Sequence, residues 1–93
     1  MTDLERNCVT ALRLSEASAN ALLSRISLLI GVASSELIRA GVSEEVVESD
    51  DPLIINAKIT YVVSQMGNSE SERVSAGEAF RLMEDEIRKS EMK

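Results

Sequence analysis

The sequence predicts an all-α fold, a small bundle of three main helices preceded by a short one at the N-terminus. Capping signals at Thr2, Asp51 and Ser69 divide the chain into stretches of helical length. Within those stretches apolar residues recur at three- and four-residue spacing, and no period-two alternation is long enough for a strand pair. One proline, four glycines and only Tyr61 and Phe80 as aromatics leave a core of Leu, Ile, Val, Ala and Met, which suits helices. Ninety-three residues suffice for one modest core, so a single helical domain over residues 1–93 is expected.

The first helix is expected over about residues 3–13. Thr2 and Glu5 have capping-box spacing, and Leu4, Cys8, Ala11 and Leu12 share one face. Leu14 and Ser15 interrupt it, and Ser15 and Ser18 are alternative caps for a second, longer helix over about 18–40, with Gly41 as its stop. Leu22, Leu23, Ile26, Leu29, Ile30, Ala33 and Leu37 form the core stripe of this helix. Its opposite face carries small residues: Ser24, Ser27, Gly31, Ser34 and Ser35, with Leu28 and Val32 beside them. Glycine inside a helix costs about 1 kcal/mol relative to alanine, so Gly31 implies that another backbone comes close, from this chain or from a neighbouring subunit. Ser24, Ser27, Leu28, Gly31, Val32 and Ser35 are therefore the candidate subunit interface.

Residues 41–51 are an acidic connector in which Val42, Val46 and Val47 can anchor one helical turn capped by Ser43. Asp51 and Pro52 open a third main helix over 52–66, apolar almost all round, as a central bundle helix should be. Ile55, Ile59, Val62 and Met66 form one of its stripes, and Leu53, Ala57 and Tyr61 another. Gly67 is expected to end it in left-handed geometry. Ser69 and Glu72 then start the last helix, over about 70–90, with Ala76, Ala79, Phe80, Met83 and Ile87 facing inward. Glu84–Arg88 and Asp85–Lys89 are expected as ion pairs on its outer face.

Sixteen acids against ten bases, a net charge of −6, argue against general nucleic-acid binding and against a polybasic membrane-surface helix. The longest apolar run, residues 28–33, is far short of the ~20 residues a spanning helix needs, so no membrane segment is expected. The opening MTDLERNC lacks the basic-then-apolar pattern of a signal peptide. The chain has no histidine, and Cys8, the only cysteine, lies on an apolar face and reads as a structural thiol. No catalytic, cofactor-binding or metal site is expected: the acidic connector lacks EF-hand spacing, and neither a nucleophile elbow nor a phosphate loop occurs. Met66, Phe80, Met83 and Ile87 have core spacing, which outweighs a peptide groove.

Four segments in this order resemble the small head–tail connector (adaptor, or DNA-packaging) proteins of long-tailed bacteriophages and prophages. They are LRLS at 12–15, ALLSRISLLIGVASSELIRAGV at 21–42, DPLIINAKITYVVSQMGN at 51–68 and SAGEAFRLMEDEI at 75–87. The resemblance implies a helical subunit of a ring that binds the portal, extends the DNA channel and carries later head-completion or tail proteins. It places the chain at the head–tail interface of the virion, and in the host cytoplasm before assembly. The family often has a longer, partly β insertion where this chain has only residues 41–51. An acidic channel wall lets DNA slide without sticking, so Glu44, Glu45 and Glu48 are candidate channel-facing residues, while Arg81 and Arg88, on one side of the last helix, are candidates to meet an acidic partner. Arg81 and Arg88 also fit a merely solvated mixed-charge face. The alternative is a small acidic helical interaction module, a regulator or antitoxin-like protein that captures a partner helix.

Overall fold

The computed structural model describes residues 1–91, so the last two residues of the expected domain lie outside it. Every regular element among the described residues is helical: α1 (Asp3–Ala11), α2 (Glu16–Arg39), α3 (Glu44–Val47), α4 (Pro52–Met66) and α5 (Glu70–Glu91). The all-α expectation holds. The helices form a flat body of 44 × 28 × 18 Å in which α4 is central, touching α1, α2 and α5.

The helix starts follow their caps. Thr2 and Glu5 complete a reciprocal capping box, Thr2 N donating to Glu5 Oε1 at 2.6 Å and Glu5 N to Thr2 Oγ1 at 3.1 Å. Of the two candidate serines, Ser15 caps α2 by accepting from Ser18 N, so the helix starts at Glu16 rather than near residue 18. Ser43, Asp51 and Ser69 cap α3, α4 and α5 in the same way.

The helix ends differ more from expectation. The α1 helix closes with Arg13 at φ 54°, where Arg13 N donates to Thr10 O and Leu14 N to Val9 O. That is a Schellman end built without glycine, the left-handed cost offset by burying Leu12 next to it. At the end of α2 the same motif uses Gly41 at φ 108°, and Val42 folds back into the core with Leu37. Gly67 is not left-handed: its φ of −54° and ψ of 154° lead the chain out of α4 extended. Glycine is needed there for space, because a Cβ would sit 2.8 Å from Val63 O and 3.1 Å from Arg73 Cγ.

Two clusters make the core. Leu37, Val42, Val47, Ile54, Ala57, Phe80 and Ile87 form one, with Tyr61 and Phe80 edge to face at 5.0 Å. Cys8, Leu12, Ile26 and Val62 anchor the other, near the N-terminal helix. The inward face of α4 differs from the expected stripes, since Ile54 and Lys58 are buried while Leu53 is exposed. A helix apolar on all sides has no moment to announce its inner face. Lys58 Nζ donates to Val47 O at 2.8 Å and so caps the C-terminal end of α3.

Candidate functional site

The fold leaves the outer face of α2 uncovered. Ala19, Ile26, Ala33 and Leu37 are its buried residues. The opposite side is open along its whole length: Ala17, Ala21, Ser24, Leu28, Gly31, Ser35 and Ile38 are all exposed. Their numbers step alternately by four and three, the spacing of a straight seam along a helix. At 24 residues the helix is about 36 Å long, so the seam runs most of the length of the molecule. Leu28, 67% exposed, is the most exposed large apolar residue of the seam.

Of the candidate interface residues, Ser24, Ser27, Leu28, Gly31 and Ser35 are exposed, while Val32 is half-buried. Around Gly31, apart from its chain neighbours and the backbone of α2 itself, no atom lies within 4 Å of the place a Cβ would take. The close backbone approach that this glycine implies is therefore not made within the chain. Leu28, already a candidate, is joined on the seam by a second large residue, Ile38, which the run of serines did not reveal.

Beside this seam, the C-terminal half of α2 and helix α5 flank α4 and leave a groove of about 600 Å³ between them. Glu36 and Ala40 form one wall, Arg81, Glu84, Asp85 and Arg88 the other, and Tyr61, Ser64 and Gln65 the floor. The expected Glu84–Arg88 pair does not form. Arg88 turns instead to Asp85, at 2.6 Å, and Asp85 also takes Lys89 at 3.0 Å, which frees Glu84 to face the groove. Desolvation, then the charge of Glu36, push the Glu84 carboxyl above its usual range, against the pull of Arg81 and Arg88. The two lysine- and arginine-bound oxygens of Asp85 hold its carboxyl below the usual range.

Glu44, Glu45 and Glu48 are exposed on and beside α3. Arg81 and Arg88 lie instead along the groove, and the Arg88 stem packs near Gly41, 3.7 Å from where its Cβ would be. The candidate channel- and partner-facing residues thus divide between two places. Burial, then the Glu5 charge, push the Cys8 thiol to about 11, far from a thiolate nucleophile. Met66 lies with the N-terminal cluster while Phe80, Met83 and Ile87 lie with the other, so the four do not line one groove.

Two turns that carry the resemblance touch each other. Asn68 Nδ2, in the turn before α5, donates to Leu12 O at 3.2 Å, and Arg13 pairs with Glu72 at 3.2 Å. By length and composition α2 is also apolar enough to cross a membrane, a property that the short run at 28–33 conceals because serines interrupt it while lowering the mean hydropathy little. No protein-family model, curated protein or solved structure matches this chain.

Proposed function

We propose that the chain is a structural subunit of a phage head–tail connector, a ring protein that binds the portal and extends the DNA channel. The observation that carries the reading is the uncovered α2 seam, in a chain whose four segments resemble that family in order and spacing. A ring subunit must present apolar surface to its neighbours, and a seam with Leu28 exposed and open space at Gly31 supplies it. The exposed Glu44, Glu45 and Glu48 supply an acidic surface suited to a channel wall. Charge reversal at these three that left assembly and DNA retention unchanged would remove them from that role.

The groove between α2 and α5, lined by Glu36, Arg81, Glu84 and Arg88, favours a second reading, a small acidic interaction module that captures a partner helix. Native mass spectrometry of the chain mixed with the portal protein of its own genome separates the two. Many copies per portal ring are expected for a connector and would give the stoichiometry directly. No association with a correctly formed portal ring would overturn the connector reading in favour of the module.

A further inference from the structure

The seam of α2 is self-complementary. We propose that the chain pairs with a second copy of itself through α2, antiparallel, about a twofold axis between the levels of Leu29 and Ile30. The observations are residue size along the seam and charge beside it. Antiparallel packing of two such seams sets the two alternating seam positions opposite one another. In the register that gives both large residues, Leu28 and Ile38, a seam residue to face, Leu28 faces the partner's Gly31, Ser24 faces the partner's Ser35, and Ala21 faces the partner's Ile38. Each large residue meets a small one. Leu28, the most exposed of them, enters the space that is empty above Gly31, and the twofold repeats every contact. A parallel pair would instead set Leu28 on Leu28 and Ile38 on Ile38, holding the helices apart while leaving the glycines unfilled.

Charge supports the same register. Arg25 and Glu36 lie on one side of the seam, so a twofold axis brings Arg25 to the side on which the partner's Glu36 stands. At 1.5 Å rise per residue the two differ in height by about 3 Å, within reach of their side chains. Arg25 makes no ion pair among the described residues. Glu36 holds only Arg39, 77% exposed, at 3.3 Å, and Glu84 adds a second carboxylate next to it. The arginine without an ion pair thus meets a carboxylate held only by one exposed arginine, twice per pair. The pairing does not rest on the connector reading, since it concerns the chain alone; a ring contact through the same face would compete with it.

The test uses the full chain carrying Ser24→Cys or Ser35→Cys; Cys8 is fully buried and does not interfere. Under mild oxidation the antiparallel register predicts a disulfide between the two variants when mixed, and little within either alone. Self-linking of each variant without the mixed product would overturn the register. In sedimentation of the unmodified chain at ~100 μM a dimer is expected, and a monomer at that concentration would overturn the pairing altogether. Arg25→Glu should weaken the dimer about tenfold, and Arg25→Glu with Glu36→Arg should restore it. Weakening that the double exchange leaves unrepaired, in variants with unchanged circular dichroism, would overturn the Arg25–Glu36 contact.

Discussion

Replacing Leu28 by Asp separates a residue that holds the fold from one that holds a partner. Leu28 is 67% exposed, whereas Ile26, two positions earlier on α2, is fully buried. Within the monomer, Leu28→Asp removes no core contact. It loses helix propensity, about 0.5 kcal/mol, and a surface substitution adds no more than about 0.5 kcal/mol either way. The monomer should therefore lose less than about 1 kcal/mol in urea unfolding followed by circular dichroism. Ile26→Ala, the control, should lose roughly 2–5 kcal/mol through the cavity it leaves. Association behaves in the opposite way. Full burial of a leucine is worth about 1.5–3 kcal/mol, and two-thirds of that remains to be gained at Leu28, about 1–2 kcal/mol per copy. A twofold pair loses this twice, roughly 30- to 1,000-fold in the dissociation constant before the cost of the buried carboxylate is added. Sedimentation of the same samples reads it, as does the mass of any portal complex. A stability loss above about 2 kcal/mol would show that Leu28 is core and refute the reasoning. Unchanged stability together with unchanged association would remove the seam from any interface.

Three further perturbations probe the fold around this face. Lys58→Met keeps the stem but deletes the 2.8 Å bond to Val47 O; the loss expected is about 1–2 kcal/mol, read as a lower urea midpoint, and no change would show that the buried lysine contributes nothing net. Gly41→Ala and Gly67→Ala should both destabilise, for different reasons. At Gly41 the cost is conformational, about 1–2 kcal/mol for a φ of 108°, since the nearest atoms to a Cβ, on Arg88, are 3.7 Å away. At Gly67 the backbone is ordinary and the cost is the 2.8 Å clash with Val63 O, so Gly67→Ala should shift the amide resonances of 63–67 and 73 while Gly41→Ala shifts those of 37–42. Glu84 binds its proton more strongly folded than unfolded, so its contribution to stability is full below the ordinary carboxylate range and is lost as pH rises through its raised pKa. Glu84→Gln should accordingly stabilise at pH 7 and gain nothing near pH 4, and a gain equal at both would locate the effect elsewhere than in the charge.

Local chemistry made the helix starts legible. Thr2, Ser43, Asp51 and Ser69 each satisfy a backbone N–H within three residues, so sequence spacing is all that a reader needs. What spacing could not supply was anything decided across the chain. Lys58 is one polar letter in an apolar helix, and only the arrival of α3 gives it a carbonyl to hold. Arg88 has two acids within a turn; it takes Asp85, and Glu84 instead faces the groove beside Glu36, a neighbour from another helix that spacing along α5 does not show. Gly67 carries the letter of a left-handed cap but meets a spatial limit set by Val63 and Arg73. The seam of α2 was half legible. Its serines, Gly31 and Leu28 marked a face with something to approach it, but Ile38 joined that face only once the burial of Ile26, Ala33 and Leu37 had fixed the rotation of the helix.

The same rotation bears on what covers α2. By composition the helix would pass for a membrane span, and its open face has the small residues found where membrane helices pack. Two features oppose lipid as the cover. Ile26, Ala33 and Leu37 are wholly buried in the bundle, so a spanning α2 would have to abandon both core clusters that they hold together. Arg25 lies well inside the helix, and an arginine near the centre of a span costs about 2.5–3.5 kcal/mol on insertion scales. A protein partner asks for neither sacrifice. It leaves the inner face packed, fills the empty place above Gly31, and offers Arg25 a carboxylate, whereas lipid could supply only the apolar contact. The charges beside the seam, more than the seam's own hydrophobicity, therefore argue for a polypeptide on the outer face of α2.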